Sequence, residues 1–171
     1  MTYQVSDIDR YIINYAYENE ESITNLKLQK ILYFLYGSYY AMTCEELFSD
    51  SFEAWAYGPV IRSSYINYSI FGAETIPPHN NYLNLLFDKE VDYNSELNEQ
   101  FYIKLFNDKT RDLINDTLDV LIKLPAMKLV EISHKEGGPW SKFYERGNKK
   151  LIKKDYLLEY FASLNRGISY E

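Results

Sequence analysis

The stretch from Thr24 to Met42, TNLKLQKILYFLYGSYYAM, leaves the chain few choices. Thr24 suits a helix N-cap. Behind it Leu28, Ile31, Leu32, Leu35, Tyr39 and Met42 recur at steps of three and four, which predicts one continuous apolar helix face. Lys27 and Lys30 fall off that stripe and are expected in water. Such a face must be covered by other elements. A chain of 171 residues, 46% of them apolar, has the material to do so.

Most of the covering elements also read as helices. Ser6 is expected to cap a first helix with Ile8, Tyr11, Ile12 and Tyr15 inward, and the acidic turn 19–22 ends it. Around 52–56 the period changes to two, which predicts a short extended piece. Gly58 then permits a tight turn. Pro59 suits a helix start, with Val60, Ser64, Tyr68 and Phe71 on one face and Gly72 closing it. Residues 73–106 read as a variable surface insertion with a short helix over Tyr82–Phe87.

Asn107 or Asp108 caps a long helix with Ile114, Leu118, Leu121 and Ile122 inward. Pro125 breaks it and opens another, in which Leu129, Val130 and Ile132 are expected to be buried. Gly137 or Gly138 serves as a left-handed cap, Pro139 starts the next helix and Gly147 ends it. The residues around 150–153 suit a strand paired with 52–56, and Asp155 caps a last helix carrying Tyr156, Leu157, Tyr160 and Phe161. The expected fold is mainly α, a compact single domain over 1–171 with about six or seven helices and a short two-stranded β element.

Charge is unevenly spread. The net value is −7, but residues 1–100 carry 15 acids against 5 bases and residues 101–171 carry 10 acids against 13 bases. The acidic part repels nucleic acid and attracts basic partners, which argues against DNA as a ligand. Arg146, Lys149, Lys150, Lys153 and Lys154 form the strongest basic cluster, read here as a solvated loop. Cys44 is the single cysteine, so no intrachain disulfide can form, and a small buried thiol in a cytoplasmic protein is expected. No apolar run approaches the ~18 residues of a membrane span, and the start MTYQVSDIDRYI lacks a signal-type hydrophobic stretch.

Reactive residues are sparse. His79 and His134 are the only histidines, and no metal-ligand spacing, nucleophile elbow or glycine-rich phosphate loop is present. No cofactor or metal is called for. The stretch SHKEGGPWSKFYERG, 133–147, admits two readings. His134 is a general base oriented by Glu131 or Glu136, or it closes a helix end against Trp140, whose indole N–H then finds a backbone carbonyl. The second is favoured. Trp55, Tyr57, Gly58 and Pro59 likewise form either an aromatic peptide pocket or a packed turn, with the turn favoured.

Three stretches together resemble the Panacea antitoxin domain family, which includes SocA-like antitoxins and phage-associated GepA-like proteins. They are ITNLKLQKILYFLYG (23–37), LFSDSFEAWAYGPVI (47–61) and LVEISHKEGGPWSKFYERG (129–147), in that order, with LIKKDYLLEYF near the end. The likeness runs over about 6–161. Residues Leu28, Gln29, Lys30, Tyr33, Trp55, Gly58, Pro59, His134, Pro139 and Trp140 carry the motif, as structural or toxin-contacting positions. The resemblance implies a helical, non-catalytic antitoxin that neutralises a cognate protein toxin by direct binding. The alternatives it leaves are a mobile-element protein that delivers a partner to an ATP-dependent protease, or a regulator. An enzyme built on His134 is a further alternative. Oligomeric state is not given by the sequence.

Overall fold

Helix α2 (Asn25–Thr43) is the centre of the fold, and it is enclosed rather than amphipathic. The computed structural model of the chain describes residues 2–78 and 105–166. The expected helix over Tyr82–Phe87, most of the 73–106 insertion and His79 lie outside these residues. Thr24 caps α2, its hydroxyl accepting from the Lys27 N–H at 3.3 Å. At the other end Cys44 adopts φ 58° and closes the helix in the left-handed conformation. Cys44 is exposed, not buried as expected, because the cap residue projects beyond the last packed turn.

Around α2 stand α1 (Val5–Glu18), α3 (Arg62–Asn67), α4 (Asp108–Leu121), α5 (Ala126–Ser133), α6 (Pro139–Phe143) and α7 (Lys154–Arg166). All but α6 pack directly on α2, and α6 packs on α7. Covered on nearly every side, α2 buries its polar residues along with the stripe. Lys27 and Lys30 are therefore not in water: Lys27 is 7% exposed and donates to the Ile122 carbonyl, and Lys30 is 0% exposed. Met42, at the helix end, is instead 47% exposed. Each fully buried aliphatic side chain of α2, such as Leu28, Ile31 and Leu32, contributes roughly 1.5–3 kcal/mol. The approach of α7 is closest at Gly37, where an added Cβ would lie 2.4 Å from the Phe161 ring.

The small sheet has three antiparallel strands, one more than expected, in the order β2 (Gly58–Val60), β1 (Glu53–Trp55), β3 (Lys150–Leu151). Its register pairs Ala54 with Pro59 on one side and with Lys150 on the other. Pro59 is thus a strand residue and not a helix start. An edge strand tolerates a missing N–H, and α3 begins at Arg62. Gly58 takes φ +100°, which the hairpin end requires.

Other boundaries shift by a residue or two. Gln4, not Ser6, precedes α1, and α7 begins at Lys154, so Asp155 lies in its first turn. Asn107 caps α4 by accepting from the Thr110 N–H at 2.9 Å. Gly137 is left-handed at φ 75°, Pro139 is the first residue of α6, and α6 ends at Phe143, before Gly147. Ile132, expected inside, is 41% exposed. It lines an open groove between α2, α4, α5 and α7.

Candidate functional site

The sequence motifs meet in one place, a polar partition behind the hairpin. Helix α2 sends Gln29 and Lys30 toward it, β1 and β2 bring Trp55, Gly58 and Pro59, and the α5–α6 corner brings Ser133, His134, Pro139 and Trp140. Lys30 Nζ donates to the Pro59 carbonyl at 2.6 Å. Room for the lysine exists because residue 58 is glycine: a Cβ there would stand 2.7 Å from Ser133 Oγ and 2.8 Å from Lys30 Cε. Among the described residues no carboxylate pairs with Lys30. Burial disfavours its charged form and pulls its pKa from 10.5 down to about 7.

His134 closes α5 and lies flat on Trp140, ring centres 3.6 Å apart and planes 6° apart. Tyr144 also stacks on Trp140, ring centres 4.5 Å apart and planes 19° apart. Trp140 Nε1 donates to the Trp55 carbonyl at 2.7 Å, which ties the α5–α6 corner to strand β1. Burial, and secondarily the neighbouring Lys30 charge, hold the His134 pKa below its usual 6.5. Its Nε2 is buried with no hydrogen-bond partner. Neither Glu131 nor Glu136 bonds to His134. Glu131 pairs with Lys128 at 2.9 Å.

Gln29 works on the other flank. Its Oε1 accepts from the Ile61 N–H at 3.0 Å, and its Nε2 donates to Ser64 Oγ at 2.9 Å. The Ser64 hydroxyl donates in turn to Asp9 Oδ1 at 2.9 Å. Asp9 is fully buried, its Oδ2 has no hydrogen-bond partner, and burial raises its pKa from 3.8 to about 7 despite the serine. A buried carboxyl with a raised pKa is thus threaded between α1, α2 and α3. Leu28 and Tyr33 stand apart from these bonds. Leu28 is core, and Tyr33 meets Phe34, Phe52 and Phe161 edge to face.

Asp9, Ser64 and Ser133 were missed by sequence reasoning. The signal for Asp9 was present: it lies four residues from Val5 and from Ile13, on the buried side of α1. Ser64 was placed on a helix face without a role, because its partners Gln29 and Asp9 are distant in sequence. Ser133 bonds locally to the Val130 carbonyl while standing against Gly58, which no spacing shows.

Two clefts flank the partition. The larger, about 560 Å³, lies between α2, α4, α5 and α7, with Tyr33 and Ser133 on its floor side. Four large apolar side chains line it in the open: Met42 (47% exposed), Val120 (62%), Ile132 (41%) and Leu164 (43%). The smaller, about 440 Å³, lies on the other side and includes Gln29, Trp55 and Tyr144. Among the described residues no cluster of His, Cys, Asp and Glu is able to hold a metal ion, and no helix is long and apolar enough to cross a membrane.

Comparison with known proteins gives these parts a family. The model of the family described as antitoxin SocA-like, Panacea domain, matches residues 28–141. The chain is also similar to Antitoxin SocA of Caulobacter vibrioides (strain NA1000 / CB15N), with 31% identity over 121 residues. That stretch is 69% of this chain and 58% of the relative, so the likeness covers less than two thirds of the relative's length. No solved structure matches the chain. The matched span takes in the α2 motif, the hairpin and the Trp140 corner together, and this chain belongs to the SocA-like antitoxins of the Panacea-domain family.

Proposed function

We propose that the chain neutralises a cognate protein toxin by binding and masking it, without chemistry. The observation that carries this reading is the larger cleft. Four big apolar side chains left in water on one groove mark a surface that another protein covers. The residue that invited an enzymatic reading, His134, lies against Trp140, and the buried Lys30 holds the hairpin. Charge supports a basic partner. Beside the groove α4 carries exposed Asp112, Asp116 and Asp119 against exposed Lys109, Lys135 stands in the groove's lining, and residues 1–100 hold a threefold excess of acids. Such fields speed encounter and select partners by sign.

The test is co-expression with the product of the adjacent gene. Growth arrest by that protein alone, rescue by this chain and recovery of both as a complex are the expected results. In the Val120→Asp/Ile132→Asp double variant, rescue and complex formation should both fail while the fold persists. A harmless neighbour, or rescue without a complex, sinks the masking reading. Rescue accompanied by a shortened toxin half-life would replace masking with delivery to a protease.

A further inference from the structure

The basic cluster near the C-terminus has no part in the reading above. Lys150 pairs with Glu145, and Lys154 with Glu46 at 2.7 Å. Lys149 does neither. Its Nζ stands 3.6 Å over the centre of the Trp55 ring, and among the described residues no carboxylate pairs with it or with Arg146. An ammonium on a tryptophan face keeps its charge and remains able to take an anion from solution.

That ammonium edges the smaller cleft. Trp55 and Tyr65, ring centres 4.8 Å apart, form one wall, and Tyr144 belongs to the other. Tyr57, at the hairpin end, is 63% exposed. The amides at the cleft's base are already engaged: Asn25 donates to the Tyr65 carbonyl at 3.0 Å, and Gln29 uses both ends of its amide. Apolar aromatic walls therefore face the cleft, and charge selection falls to Lys149, the one charged residue that lines it among those described. Tyrosine and tryptophan are enriched at protein interfaces.

We infer that this cleft is a second protein-binding site, which takes an acidic peptide segment: an apolar or aromatic side chain enters between Trp55, Tyr57 and Tyr144, and a flanking carboxylate pairs with Lys149. The site lies across the partition from the groove and has the opposite charge preference, so it does not depend on the toxin reading. A single ammonium suits one carboxylate better than a polyphosphate, which draws on a larger set of donors.

The experiment is an NMR titration of the ¹⁵N-labelled chain at low salt. The chain has two tryptophans, hence two indole N–H signals. Trp55 reports on the cleft: its indole N–H donates to Glu53 Oε2 at 2.7 Å, and that of Trp140, buried behind it and bonded to the Trp55 carbonyl, should shift less. The probes are a blocked heptapeptide with one phenylalanine flanked by aspartates, the same peptide with lysines for the aspartates, the aspartate peptide with alanine for phenylalanine, and ATP. The acidic phenylalanine peptide should shift the Trp55 signal saturably, and both peptide variants should bind about tenfold more weakly. Lys149→Glu turns an attraction into a repulsion, and should weaken the acidic peptide about tenfold while leaving Tm unchanged. Equal binding of the lysine peptide, an undiminished affinity in Lys149→Glu, no saturation at millimolar peptide, or tighter binding of ATP would each overturn the proposal.

Discussion

The partition buries a lysine, a glutamine and an aspartate, while the groove beside it leaves a methionine, a valine, an isoleucine and a leucine in water. Each half reverses the usual sorting of side chains. The partition's polar groups bond across elements: α2 to the hairpin through Lys30, α2 to the loop before α3 through Gln29, and the α5–α6 corner to β1 through Trp140. They fix where the walls stand. The groove's apolar groups satisfy nothing within the chain. The residues richest in chemistry therefore hold elements together, and plain aliphatic residues make the surface proposed to bind the toxin.

This contrast fails first where a side chain lies against a bare glycine backbone. Gly37→Ala places a methyl 2.4 Å from the Phe161 ring, so α7 must retreat from α2. The expected loss is about 3 kcal/mol, the upper end for overpacking, read from a urea midpoint. Gly58→Val combines a Cβ in the space of Lys30 with φ +100°, and should be at least as costly. An unchanged midpoint in Gly37→Ala would mean that α7 shifts on α2 without cost, and in Gly58→Val that the partition does not set the packing.

Next comes the corner. Trp140→Ala should cost on the order of 3 kcal/mol, because a 9% exposed indole between His134 and Tyr144 leaves a void. Trp140→Phe keeps a ring in the stack but orphans the Trp55 carbonyl, and should cost about 1 kcal/mol. Equal losses in the two variants would put all the weight on the hydrogen bond and none on packing.

These positions also show how far the sequence could be read. Helix α2, its Thr24 cap, the Asn107 cap, the Pro139 start and the strand near 150–153 follow from local rules: spacing, capping and fixed φ. Trp140's bond to a carbonyl was expected, though not that the carbonyl would be Trp55's, 85 residues away. The errors share a cause. Placing Lys30 in water assumed that a helix has one wet face, and that assumption breaks for a helix surrounded on nearly every side. Placing Ile132 inside assumed that an apolar residue on a periodic face finds a cover. Both depend on which elements pack together, which periodicity does not encode. The groove was invisible for the same reason, since Met42, Val120, Ile132 and Leu164 come from four helices.

The buried titrating groups of the partition give a smaller, pH-dependent effect. Asp9 has a folded pKa near 7 against 3.8, so its contribution is fully present below about pH 4 and is lost as pH rises through 7. Lys30 is the reverse: its folded value near 7 lies below 10.5, so its contribution is present above about 10.5 and is lost as pH falls toward 7. Their sum is a valley of stability near neutral pH. His134, held below 6.5, opposes Asp9 on the acid side, which makes difference measurements necessary. Relative to wild type, Asp9→Asn should remove a fall on the order of 2 kcal/mol between pH 5 and 7. Lys30→Met should remove a rise of similar size between pH 7 and 9. Curves parallel to wild type would show that these groups titrate in water.

The smallest effect on the fold is expected at the groove, and there the contrast between inside and outside is most exposed to test. Val120 and Ile132 are 62% and 41% exposed, so changing each to serine removes little buried area. The stability change should stay within about 0.5 kcal/mol. The same changes strip apolar contact from the surface proposed to anchor the toxin, where truncating one well-packed anchor costs more than about 1 kcal/mol of binding. Val120→Ser and Ile132→Ser should therefore keep the urea midpoint and weaken toxin binding several-fold, measured by calorimetry on the purified pair. If the midpoint falls instead and binding holds, the groove belongs to the core and the toxin sits elsewhere. If neither moves, its exposed aliphatics are ordinary surface, and binding must be sought on the face that carries Trp55.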